Sequence, residues 1–199
     1  MQSQWADWQI EQDRLDTLAA IAGRAVRSRG GIDHGIMLKA GESALCAADG
    51  QLIEPRRHRG YYTGRSSGVS VRISRGVWYR ASGYRGRYVP GPELQTPVDV
   101  GRAVITTARV VFTGTKTTRE WRFDKLVSVD SDATTVLLHV ANRQKVSGVV
   151  LGSGDAENFQ TGLELALMMT EHGVDVVAGQ LRTIADEHMR SRPRPPSAH

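Results

Sequence analysis

The chain has 199 residues, 40% of them hydrophobic, and a formal net charge of +5 at pH 7. That length supports one folded core with helical attachments and leaves little room for two full domains. Its apolar runs are only a handful of residues, far short of the ~20 that span a bilayer. Residues 1–7 also lack the basic start and apolar stretch of a secretory signal. The lone Cys46 has no second thiol for a disulfide or a zinc site and reads as a small buried hydrophobe. Together these features predict a soluble, cytoplasmic protein without a transmembrane segment.

Over residues 4–27, Trp5, Trp8, Leu15, Leu18, Ala22 and Ala25 recur at spacings of three, four and seven. This predicts an amphipathic helix, stopped by Gly30-Gly31. The two tryptophans are expected to pack against the chain's own barrel, with a partner groove or a membrane surface as the alternatives. Beyond Gly41, short β-branched stretches alternate with Gly, Asp, Asn and Pro. Strands are predicted at 43–47, 52–56, 69–73, 77–81, 103–107, 110–113, 119–123, 126–129, 136–140 and 146–151, with turns at Asp49-Gly50, Gly114-Thr115-Lys116, Ser131-Asp132 and Asn142-Arg143. After Gly152-Ser153-Gly154 the helical period returns. Asp155 is the expected N-cap of a helix carrying Phe159, Leu163, Leu167 and Met168, and a second helix is expected from about 174 to 189. Residues 191–199, basic and rich in proline, are expected to form a disordered tail.

Residues 98–171 resemble the bacterial pleckstrin-homology-like and GRAM-like domains. The likeness rests on Gly101-Arg102-Ala103-Val104-Ile105-Thr106-Thr107-Ala108-Arg109-Val110-Val111-Phe112-Thr113-Gly114, similar to the family's strand, Thr/Arg turn and second strand. It continues through Trp121-Arg122-Phe123-Asp124-Lys125-Leu126-Val127-Ser128-Val129-Asp130, and Leu38-Lys39-Ala40-Gly41-Glu42 resembles the usual lead-in. The resemblance implies an α+β, mainly β fold: a barrel of about seven strands capped by a C-terminal helix, here with an added N-terminal helix and a second C-terminal helix. On this reading the chain divides into an N-terminal helix (1–31), the barrel and its capping helix (32–172), a second helix (173–190) and the tail (191–199). The segment 56–92 departs from the family pattern as an insertion like those of uncharacterised actinobacterial proteins of this type. The resemblance brings a fold and a binding role but no ligand.

Few motifs point to chemistry. Gly64-Arg65-Ser66-Ser67-Gly68 matches the serine-hydrolase pattern, but that chemistry needs a sharp turn from a buried strand into a helix. Here an Arg-Gly-Tyr-Tyr-Thr stretch precedes it and an alternating strand pattern follows, so it is read as a loop. The six histidines are scattered without metal-ligand spacing. No catalytic residue, metal site or cofactor is predicted, and the expectation is a non-enzymatic protein.

The strongest signal lies between residues 55 and 92. This stretch holds nine arginines, seven glycines and all five tyrosines, with Trp78 and no Asp or Glu; removing its nine charges from the net +5 leaves −4 for the remainder. Arginine forks grip phosphate or carboxylate oxygens, and aromatic faces stack on bases or guanidinium groups. The candidate partner-binding residues are therefore Arg57, Arg59, Tyr61, Tyr62, Arg65, Arg72, Trp78, Tyr79, Arg80, Tyr84, Arg85 and Arg87. A second reading makes the segment a solvated hairpin in which Val69, Val71 and Ile73 point inward while Ser70, Arg72 and Ser74 face water. The functional expectation is an interaction module that binds an acidic protein surface or another copy of itself. A nucleic-acid-binding protein using the same residues is the alternative, and peripheral contact with lipid head groups stays open.

Overall fold

Apolar alternation builds a sheet from the middle of the chain, and helical periodicity at either end supplies its cover. The computed structural model describes residues 2–27, 30–56, 61–74, 77–89, 94–141, 143 and 145–193, with the backbone alone described at 2, 3 and 32 and over 61–74 and 77–89. Helix α1 (Gln2–Arg27) precedes a small hairpin of β1 (Gly31–Asp33) and β2 (Ile36–Leu38). Then come β3 (Ala44–Arg56), β4 (Tyr61–Ser74), β5 (Val77–Val89), β6 (Leu94–Thr106), β7 (Arg109–Gly114), β8 (Thr118–Arg122), β9 (Leu126–Ser131), β10 (Thr135–Val140) and β11 (Ser147–Leu151). Helices α2 (Ser153–His172) and α3 (Val174–Arg190) follow.

The fold is α+β and mainly β. Seven antiparallel strands, in the order β9-β10-β11-β3-β6-β7-β8, curl into a half-barrel, and β4 and β5 extend it through a parallel pairing of β5 with β9. Leu52, Ile105, Phe112, Trp121, Val129, Val136 and Val149 form its core, joined by Phe159, Leu163 and Leu167 of α2. Full burial of a side chain such as Phe159 contributes about 1.5–3 kcal/mol. Leu18, Ala22 and Ala25 attach α1 to the same core, and Val177, Ala178 and Leu181 attach α3. No helix among the described residues is long and apolar enough to cross a membrane.

Several boundaries differ from expectation. Asp49-Gly50 is not a turn but lies inside the 13-residue strand β3. Gly50 is needed there because a Cβ would collide with the Val150 carbonyl of the neighbouring strand, and Asp49 is held by Arg102 at 2.8 Å. Helix α2 begins at Ser153 with Gly152 as N-cap, so Asp155 lies in its first turn, where a carboxylate favours the dipole rather than capping. The tryptophans of α1 pack against α3 rather than the barrel. A 26-residue helix runs about 39 Å, and only its second half reaches the core. Trp8 donates its indole N–H to the His188 carbonyl at 3.1 Å and stacks on the His188 ring at 5.3 Å, while Trp5 stacks on Trp8. Of the expected tail, residues 191–193 are described, and the Arg192 guanidinium lies 5.0 Å from the Trp5 ring centre. Residues 194–199 lie outside the described residues.

One buried ion pair fastens the β1–β2 hairpin and the chain after it to the barrel. Arg109 donates Nε and Nη2 to the two Glu42 carboxylate oxygens at 2.8 and 3.0 Å, Nη1 to Glu120 at 3.0 Å and Nη2 to the Met37 carbonyl at 2.9 Å. Thr106 donates its hydroxyl to Glu42 at 2.6 Å, and the Lys39 N–H donates at 2.7 Å. Burial pushes the Glu42 pKa up, but the bonds from Arg109, Lys39 and Thr106 outweigh it and hold the carboxyl below its usual value. A second carboxylate organises the β7–β8 turn. Asp99 accepts from the Val100, Lys116 and Thr117 N–H groups and the Thr115 hydroxyl, at 2.9, 2.7, 2.7 and 2.7 Å. Burial alone would raise its pKa, yet these four bonds lower it to about 2.

Removing Arg109 would strand the buried Glu42 charge. Arg109→Met should therefore cost roughly 3–5 kcal/mol in urea unfolding, and a loss below about 1 kcal/mol would show that the pair is not a structural clasp. For Asp99 the folded pKa of about 2 lies below the ~3.9 of an unfolded aspartate. Its contribution is thus complete above pH ~4 and is lost as pH falls towards 2. Asp99→Asn should lower the melting temperature at neutral pH and flatten part of its decline between pH 4 and 2. A variant whose melting curve runs parallel to wild type over that range contradicts the turn assignment.

Candidate functional site

Ten of the twelve candidate residues stand on β4 or β5; Arg57 and Arg59 lie outside the described residues. The two strands pair antiparallel along their whole length, with Tyr62 opposite Tyr88, Arg65 opposite Arg85, Ser66 opposite Tyr84, Ser70 opposite Arg80, Val71 opposite Tyr79 and Arg72 opposite Trp78. Facing partners and alternate residues share one side of a β-ribbon. The register therefore sorts the candidates in two. Tyr62, Arg72, Trp78, Arg80 and Tyr84 belong to one face, joined by Tyr88. Tyr61, Arg65, Tyr79, Arg85 and Arg87 belong to the other, with Val69 and Val71.

The parallel seat on β9 relates these faces to the barrel. Tyr79 stands in register with Val129, which is fully buried, whereas Trp78 and Arg80 stand beside Ser128 and Asp130, both half-buried. The Val69/Val71/Tyr79 side thus continues the core row of the half-barrel, and helix α2 runs against β4. The aromatic side continues the outer row, where Asp130 bonds His139 at 2.9 Å. The two sequence readings of the segment consequently divide between its two faces, the apolar hairpin positions falling on the core side.

The segment 64–68 is a continuous part of β4 opposite residues 82–86, not the expected loop. Ser66 accordingly sits mid-strand rather than at a strand-to-helix elbow. Strand prediction failed over 61–68 and 82–89 because Gly64, Gly68, Gly83 and Gly86 interrupt the β-branched pattern there. At one end the ribbon continues from the paired ends of β3 and β6, where Arg56 faces Leu94. Near its turn, Trp78 to Ala81 pair with β9. Among the described residues, 61–68 and 82–89 pair only with each other, a stretch of about 26 Å.

A second feature, unforeseen in the sequence, is a groove of about 890 Å³ along the seam of the half-barrel, lined by Glu54, Arg119, Glu120, Arg143, Lys145 and Ser147. Its charged groups serve mainly to close the seam. Arg119 bonds Glu54 at 2.6 Å, Arg143 donates to the Glu120 carbonyl at 3.0 Å, and the Trp121 indole N–H reaches the Ser147 hydroxyl at 3.0 Å. No periodicity signals these contacts, since only the curl of the sheet brings β8 near β3 and β11. Cys46 is half-buried, and desolvation, opposed by Arg24, pushes its thiol up to about 12. Among the described residues no three His, Cys, Asp or Glu side chains converge to hold a metal ion. Comparison with protein-family models, curated proteins and solved structures finds no match to this chain.

The register of the ribbon can be tested by cross-linking. Ser67→Cys with Gly83→Cys places two thiols on facing positions and should form a disulfide under mild oxidation, because facing residues fall within disulfide reach. Ser67→Cys with Ser82→Cys puts them on opposite faces and should not. Cys46, half-buried and with its thiol pKa raised to about 12, should stay unmodified throughout. Efficient cross-linking of the mismatched pair alone would refute the assignment of faces.

Proposed function

We propose that this chain is a non-enzymatic interaction module in which a pleckstrin-homology-like barrel presents the Arg/Tyr ribbon to an anionic partner. The observation that carries this reading is the ribbon's register, which gathers Arg72, Arg80, Trp78 and tyrosines on the face away from the core row, in a segment with no carboxylate of its own. Support for the barrel assignment comes from the resemblance residues themselves. Glu42 of the lead-in meets Thr106 and Arg109 of the Thr/Arg turn, so the three are joined in one buried network. Seven antiparallel strands followed by a helix also suit the layout that the resemblance implies.

Ribbon-to-ribbon association of two copies would oppose the five arginines of β4 and β5 to five more without an intervening acid, which like-charge repulsion disfavours. The partner favoured by charge is a different, acidic molecule. The full chain should bind immobilised poly-glutamate or oligonucleotide at 50 mM salt, with affinity falling steeply as salt rises. Charge reversal of Arg72 and Arg80 together should weaken that binding by at least about ten-fold while the melting temperature holds. A wild-type chain that captures no polyanion, or a double variant that binds as well, would overturn the proposal.

A further inference from the structure

Resting on that reading of the ribbon, we infer that its aromatic face is a binding surface for single-stranded nucleic acid, with bases received between aromatic rows and phosphates met by Arg72 and Arg80. The register orders this face row by row. Tyr62 faces Tyr88; next, Gly64 faces Gly86; then Ser66 faces Tyr84, Gly68 faces Ser82, Ser70 faces Arg80, and Arg72 faces Trp78. Successive rows on one face lie about 6.8 Å apart.

Two features select the ligand. The Gly64/Gly86 row carries no side chain at all, and the Tyr62/Tyr88 row and Tyr84 stand two row spacings, about 14 Å, apart along the ribbon. Aromatic positions on one shared face suit flat rings, and every base offers a π-face for stacking. Four aromatic residues against two arginines is also the wrong balance for a plain carboxylate surface, because carboxylates are matched by arginine forks and not by ring faces. Rings joined by phosphates answer both parts of the face. In a duplex the bases are already stacked on one another, so a single strand is the form that fits. Arg80 stands in register with Asp130, itself bonded to His139, which makes Arg72 the stronger phosphate contact.

The test uses the full chain with a fluorescein-labelled 15-nucleotide thymidine strand, the corresponding duplex and a poly-glutamate peptide. Expected is tighter binding of the single strand than of the duplex. Tyr84→Ala and Trp78→Ala should each weaken it roughly ten-fold without changing the salt slope. Arg72→Gln should lower the slope by about 0.7. Gly86→Val, which puts a side chain that strands accept into the bare row between aromatic positions, should weaken single-strand binding comparably while the melting temperature is retained. Thr63→Val, on the opposite face, should have no effect. Equal affinity for duplex and single strand, or indifference to Tyr84→Ala and Gly86→Val, overturns this inference. If poly-glutamate binding that depends on the arginines persists in that case, the anionic-partner reading stands without it. If no polyanion binds, both fall.

Discussion

The pairing of β3 with β6 is the constraint on which the other parts hang. It runs from Ala44 facing Thr106 to Arg56 facing Leu94, through register shifts after Ala44 and after Leu52 that let two long strands bend with the barrel. β3 carries β11 on its other side and supplies Leu45 and Leu52 to the core, so it stands at the middle of the curled sheet. β6 passes the curl on to β7 and β8. The far end of the same pair is where the chain departs into the Arg/Tyr ribbon and returns from it. A change that slipped this register by one residue would move Leu52 from the core and re-aim the ribbon together.

Much of the half-barrel was legible in the sequence because its signals are local. Helices α2 and α3 follow the 3.6-residue period of Phe159, Leu163, Leu167 and of Val177, Leu181, Ala185, and β7 to β11 follow their β-branched residues. Asp49-Gly50 misled because a turn dipeptide and a close-packed strand glycine look the same until the neighbouring strand is known. The ribbon beyond Gly68 and Gly83 was hidden for a related reason: glycine weakens strand propensity, while a facing partner strand supplies the pairing. No sequence signal announces the parallel seat of β5 on β9, a pairing between residues some 50 positions apart that only the completed curl creates. The candidate site was legible as a composition, twelve residues in one basic and aromatic stretch. Its division into faces was not, since that depends on which residue faces which.

The division changes the meaning of the composition. Counted together, nine arginines and six aromatic residues suggest a uniformly sticky surface. Sorted by register, Val69, Val71, Tyr79 and Ala81 stand on the side of the ribbon that is in line with the buried row of Val129. The nine positive charges of the segment stand against a net charge of −4 over the rest of the chain. A basic segment of this kind attracts a polyanion before contact and makes the rate of encounter sensitive to ionic strength.

The docking of α1 on α3 has a consequence for how the molecule is made. Trp8 and His188, which stack and share a hydrogen bond, are separated by 180 residues. At ribosomal speeds of about 5–20 residues per second, α1 emerges on the order of ten seconds or more before its partner helix exists. Throughout that interval the first half of its apolar stripe, with Trp5 and Trp8, lacks the helix that covers it in the finished fold, and the nascent chain carries two stacked indoles with no native partner to shield them.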